Sequence, residues 1–200
     1  MQLLREALRI LEHEETVKLD ATPEGRTVYL KLNFVDEYSL GRMKMKATNR
    51  DYKPKTSTVR AIRKDDVSKV VEFDTEIFGA DRLPLLEWML KGAPGLAFLS
   101  EHKNEIQGYC LGRPGHDYIH IGPVIAKSII DAKDLVFAAL SKCNGTDVIL
   151  DIPSTNQPWA DWLTSIGFVE QRTFYRMYRG SNSSPGLPQK QFAIMGPEFG

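Results

Sequence analysis

The sequence predicts an α/β fold, and three observations carry that expectation. Helical spacing of apolar residues alternates with short β-type runs along nearly the whole chain, the order an α/β layout requires. A helix–strand–helix segment near the N-terminus recurs in the C-terminal half. The length of 200 residues suits one ordinary domain plus a fragment rather than two complete domains.

Taken in order, Leu3, Leu4, Ala7 and Leu8 mark one face of a first helix, and Leu135, Val136, Ala139 and Leu140 repeat that face. A β-type run follows each helix, Val17 to Asp20 and Val148 to Asp151. Each run ends in an acid shortly before a proline, Pro23 or Pro153, so a strand ending in a turn is expected. A second helix then leads to Phe34 or Phe168, and the pairs Arg42-Met43 and Arg176-Met177 lie equally far beyond them. Self-similarity in one register marks a structural repeat. Residues 1–45 read as the C-terminal part of a first unit, 46–58 as a polar, basic linker, and 59–200 as a complete second unit. Within the second unit, Val59 to Ile62 is expected as a strand, and Asp65 to Phe78 and Leu83 to Lys91 as helices. Leu96 to Ser100 and Ile106 to Leu111 form a hairpin over His102 to Glu105, and Asp117 to Ala126 a further strand.

Composition narrows the function. Lys plus Arg number 26 and Asp plus Glu number 26, so no net field draws the protein to nucleic acid or an anionic membrane. The charged N-terminus lacks a signal-peptide core, and no apolar run approaches the roughly 20 residues of a membrane span. Two cysteines, Cys110 and Cys143, form neither a disulfide framework nor a metal-ligand pattern. A cytoplasmic protein that uses no metal, no membrane and no nucleic acid is expected.

The segment from Asp20 through Thr22, Gly25 and Tyr29 to Asn33 and Phe34, and its counterpart Asn156, Trp159, Leu163, Gly167 and Phe168, resemble the GNAT N-acetyltransferase superfamily. The tail from Gln191 to Gly200 is similar to that of two-domain members with a divergent C-terminal acetyltransferase domain. The resemblance implies a GNAT fold, a mixed central sheet flanked by helices, with acetyl-CoA as co-substrate and an amine of a small molecule or peptide as acceptor. In the family, a Gln/Arg-x-x-Gly-x-Gly/Ala loop holds the coenzyme pyrophosphate at a helix N-terminus, where free N–H groups and the helix dipole favour an anion. The matching positions are Lys127, Ile130 and Ala132, so Lys127, Ser128, Ile129, Ile130, Asp131 and Ala132 are expected at the pyrophosphate, with Asn156 contacting the coenzyme. Isoleucine replaces the first glycine, and Ile130→Gly is expected to tighten binding if the loop serves as in the family. Tyr29 holds the place of the family's general acid, and Leu163 occupies that place in the second unit. The family's coenzyme arm inserts where two parallel strands splay. Pro123, lacking an N–H, suits such a point and would leave the backbone of Val124, Ile125 and Ala126 to the arm, although an ordinary bulge places the same proline equally well.

Other candidates have a plainer alternative. His120, on the face opposite Ile119 and Ile121, reads either as a base relaying an amine proton or, more commonly, as a hydrogen-bonded strand residue. Trp159 and Trp162 read as core or as pocket walls, with core the commoner role. Cys110 reads as a small hydrophobe. Asp20 and Asp151 read as turn or cap residues before substrate contacts. The apolar positions Leu4, Leu8, Leu11, Val17, Leu19 and Phe34 need a cover, expected from docking on the second unit, from self-association, or from further N-terminal chain.

Overall fold

The computed structural model describes residues 2–183 and 185–199. Its elements follow the predicted alternation: α1 (Gln2–Ile10), β1 (Thr16–Ala21), α2 (Pro23–Leu30), β2 (Val35–Met45), β3 (Val59–Ala61), α3 (Val67–Phe78), α4 (Leu83–Gly92), β4 (Phe98–His102), β5 (Glu105–Pro114), β6 (Ile119–Ala126), α5 (Ile129–Leu140), β7 (Val148–Pro153), α6 (Gln157–Ile166), β8 (Val169–Gly180) and β9 (Gln191–Ala193). Local chemistry sets the boundaries. Thr22, Ser128 and Asn156 cap α2, α5 and α6 by accepting from the backbone N–H of Gly25, Asp131 and Trp159. Gly79 and Gly167 close α3 and α6 in the left-handed conformation, φ 92° and 114°.

The strands form one mixed sheet in the order β1-β8-β2-β7-β6-β5-β4-β3, with β9 paired to β6. Among the described residues only β6 and β7 run parallel, and their ladder covers just Ile119 with Val148 and His120 with Ile149. On one face, α5 and α6 bury Leu135, Val136, Trp159 and Leu163 against Cys110, Ile121, Val148 and Leu150, and Tyr29 packs with Phe34, Leu19 and Met177. On the other, α3 and α4 bury Val70, Ile77 and Leu86 against Leu99, Tyr109 and Ile125. Asp74, fully buried, joins Arg82 at 2.6 and 3.0 Å and accepts from the Tyr109 hydroxyl, tying α3 to the turn before α4 and to β5.

The N-terminal segment is woven into this sheet. β1 pairs with β8, and β2 lies between β7 and β8, bonded to both. Val35 faces Tyr178, while Val169, the counterpart of Val35 in the repeat, faces Lys44, the counterpart of Tyr178. Leu40 faces Phe174, its own counterpart, so a pseudo-two-fold axis passes through that pair. Docking on the second unit, one of the three covers expected for the first copy, is present and buries Phe34. Leu3, Ile10 and Leu11 of the first helix and its turn stay exposed.

The polar stretch 46–58 has no regular structure, yet it is anchored. Tyr52 stacks on Phe137 at 5.8 Å, and Asp134 accepts from the backbone of Lys55 and Thr56.

Candidate functional site

The repeat places two matched ion pairs on the sheet, one across β2 and β7 and one across β1 and β8, each joining one copy to the other. Arg42 of the first copy donates to Asp151 of the second at 2.7 and 2.8 Å, and Arg176 of the second donates to Asp20 of the first at 2.9 and 2.8 Å. All four side chains are nearly or fully out of water. Asp20 and Asp151 are therefore neither turn nor cap residues. Their partners come from the other copy, a pairing no local pattern encodes. Burial alone would push the Asp151 carboxyl up, but the hydrogen bonds from Arg42 and the closeness of His120 outweigh it and hold the group below the ordinary aspartate range. Two-pronged contact with a guanidinium is the strong form of such a pair.

His120 stands beside Asp151 on the α3/α4 face, buried, as alternation along β6 requires. Arg113 Nη2 lies 3.0 Å from Nδ1, and because arginine only donates, Nδ1 accepts and the ring proton of a neutral His120 belongs on Nε2. Nε2 lies 3.1 Å from Asp151 Oδ2, a charge contact off hydrogen-bond geometry. In this arrangement the imidazole has no free lone pair for a substrate proton unless Arg113 moves. Arg113 is itself held by Glu198 of the tail.

The expected coenzyme residues Val124 to Ala132 run through the β6–α5 junction, where the N–H groups of Lys127, Asp131 and Ala132 are already bonded, and Asn156 lies apart at the start of α6. Ser128 Oγ accepts from Asp131 N at 3.2 Å, and its hydroxyl lies 2.5 Å from Asp131 Oδ2. Ser100 donates to Asp131 at 2.9 Å. Ser128 thus caps the α5 N-terminus, and the Asp131 carboxylate in its first turn opposes the anion the helix end would otherwise attract. Lys127 N–H donates to Gln107 O at 2.7 Å, and Ile130 projects into solvent, 64% exposed. Ala132 is buried in the helix face and Ile129 packs beside it. Asn156 caps α6.

Beyond His120 the parallel ladder ends, so β6 and β7 do part near Pro123. The chain's own tail fills the gap. β9 pairs Ala193 with Val124 and Gln191 with Ile125, and Ile194 N–H donates to Asp151 O at 2.8 Å, bridging to β7. Ala126 stays bonded across to Gly108 in the β5 ladder. Trp159 is fully buried, stacks on Trp162 at 4.8 Å and donates from Nε1 to Phe192 O at 2.8 Å, so these tryptophans act as core and as an anchor for the tail. As arranged, the groove beside β6 does not fit a coenzyme arm. Among the described residues no group of three or more His, Cys, Asp or Glu could hold a metal.

Tyr29 lies on the opposite face from His120, half-buried against the Phe34 ring at 5.7 Å. The two candidate catalytic residues are therefore not brought together. Cys110 is buried with its thiol pushed far up by desolvation, and burial pushes Cys143 up to about 12, which leaves neither as a nucleophile.

The acetyltransferase (GNAT) domain profile matches residues 70–193. The chain belongs to the GNAT acetyltransferase family. The match starts inside α3 and ends at β9, so the GNAT sequence signal includes the strand that fills the gap. A holothin acyltransferase of Pseudoalteromonas sp. (strain SANK 73390) is 28% identical over 188 residues, 94% of this chain and 63% of the relative. The uncharacterized N-acetyltransferase YitH of Bacillus subtilis (strain 168) is 24% identical over 78% of this chain and 55% of its own length. Among solved structures, that of a putative acetyltransferase from Pyrococcus horikoshii superposes with a TM-score of 0.78 at 24% identity, covering 98% of this chain and 64% of that one. The GNAT chain thus spans less than two thirds of the length of each of these proteins. No helix among the described residues is long and apolar enough to cross a membrane.

Proposed function

We propose that the protein is a CoA-dependent N-acyltransferase, transferring an acetyl group from acetyl-CoA to an amine of a small molecule or peptide by direct attack of the free amine. The observation that carries the reading is the asymmetry between the copies. The gap beside β6 is filled by β9, whereas β1 ends the sheet with one edge unpaired among the described residues. We place the reaction at that edge, beside α2, where a longer form of the protein supplies a partner strand and the coenzyme loop. Residues 1–45 are then the end of the catalytic unit, Tyr29 is its general acid, and residues 59–200 are a divergent supporting unit. The relatives' greater length and the name of the holothin acyltransferase favour this assignment. Neutral overall charge and reduced cysteines suit a cytoplasmic setting.

The second reading keeps the coenzyme on the second unit, at Val124 to Ala132 and Asn156, with His120 as base. It requires β9 to leave the gap and Arg113 to release His120.

Calorimetry with acetyl-CoA separates the readings. The 200-residue chain is expected not to bind at micromolar ligand, and a form of the relatives' length is expected to bind and to release thiol when given an amine. Tyr29→Phe in that form should lower kcat by about 10²-fold or more, as loss of a general acid does. Micromolar binding by the 200-residue chain, weakened by Lys127→Ala, would sink the proposal.

A further inference from the structure

A second cleft, of about 380 Å³, opens on the α3/α4 face over the Arg42–Asp151 pair. Arg42, Arg113, His120, Arg172 and Glu198 supply its polar lining, and Tyr118, Phe174 and Pro197 its apolar walls. Three guanidinium groups face it against two carboxylates, Glu198 and the buried Asp151, which is already taken by Arg42 and His120. Arg113 Nε is buried with no hydrogen-bond partner among the described residues, a donor left over after His120 and Glu198 are counted. Arg172 lies over the Phe174 ring at 4.7 Å with no carboxylate within ion-pair distance among the described residues.

The fold leaves the buried Arg113 Nε donor unsatisfied, and it does not call for a cation at exposed Arg172. Tyr38 stands in the first copy where Arg172 stands in the second, opposite Arg176 as Arg172 is opposite Arg42, so the sheet accepts an uncharged side chain at this register. A buried donor without a partner destabilises the fold, and guanidinium forks match carboxylates in geometry.

We propose that this cleft binds a small carboxylate with an apolar body, and that Glu198 is a tethered stand-in for that carboxylate. The ligand's carboxylate takes Arg113 and Arg172 while its body lies along Phe174, Tyr118 and Pro197, and Glu198 swings out on the tail. With Glu198 swung out, the ligand's one negative charge replaces that of Glu198, and the site keeps the same single excess cation as before. The assignment does not depend on where the coenzyme binds.

The test is titration of the full chain with benzoate, with the neutral benzamide and inorganic phosphate as comparisons, read by calorimetry and by the His120 ring resonances. Glu198→Gln removes the competitor and should tighten benzoate binding about fivefold or more, and Arg172→Gln in that background should reverse the gain. Both residues are on the surface, so both variants are expected to fold. Benzamide should bind more weakly than benzoate throughout, and benzoate should shift the His120 resonances. No gain from Glu198→Gln, no loss from Arg172→Gln, or equal binding of benzamide would overturn the proposal. Tighter binding of phosphate than of benzoate would overturn the carboxylate assignment.

Discussion

At the scale of single residues, the close approach of the tail depends on Gly122. A Cβ there would run into the carbonyl oxygen of Ile194, backbone against backbone, with no flexible group to yield. Gly122→Ala is expected to push β9 out of the gap and to raise hydrogen exchange at Phe192 to Met195; unchanged protection would show that the backbone absorbs the methyl group. The paired arginines have a different vulnerability. Removing one partner of a buried ion pair strands the other charge, at about 3–5 kcal/mol, so Arg42→Met should lower the denaturation midpoint far more than Arg42→Met with Asp151→Leu. Equal losses would mean that the carboxylate is not stranded. Arg42 and Arg176 were visible in the sequence as repeat markers, and Asp20 and Asp151 as matched strand ends. Nothing in the sequence joined the arginine of one copy to the aspartate of the other.

At the scale of elements, most helices and strands lie close to their predicted bounds because their signals are local. The expected helix over Asp65 to Phe78 is α3 preceded by a 3-10 turn at Lys64 to Asp66. That turn is fixed by Arg60, which reaches Asp66 at 2.6 and 2.8 Å and Glu101 at 2.9 Å. Hydrogen bonds from Arg60 pull the Asp66 carboxyl from 3.8 down to about 2, and those from Lys44 and the Ala47 N–H do the same for Asp147. A carboxyl with a lowered folded pKa adds stability that is full above its unfolded pKa and is lost as pH falls through its folded one. Thermal midpoints should therefore drop as pH goes from about 4 to about 2. Asp66→Asn should flatten part of that slope, and an unaltered slope would refute the assignment. β9 was the element least legible in advance. Only three residues long, it shows no alternation to detect, and its place depends on the gap it enters.

For the whole molecule, the division of the chain at residue 45 describes a repeat in sequence, while the sheet is continuous across it. β2 supplies ladders to both β7 and β8, so deleting residues 1–45 leaves two strands without their shared partner and exposes Phe174, Met177 and Leu150. The remainder is expected to lose cooperative unfolding and to aggregate, by circular dichroism and gel filtration. A soluble remainder with a sharp melt would show that the second unit folds alone. The edge of β1, unpaired among the described residues, is the surface through which self-association would run.

The sequence by itself determined the α/β class, the order of elements, the repeat and the family resemblance, because helix faces, turn residues and motif spacing are carried by neighbours along the chain. It also marked the departures at Ile130 and Leu163. Tertiary structure alone decided that the copies exchange strands about a pseudo-two-fold axis, that each buried aspartate takes the other copy's arginine, and that the tail occupies the gap beside β6. Each of these joins residues far apart in the chain, and the burial and charge that fix them exist only once the sheet has formed.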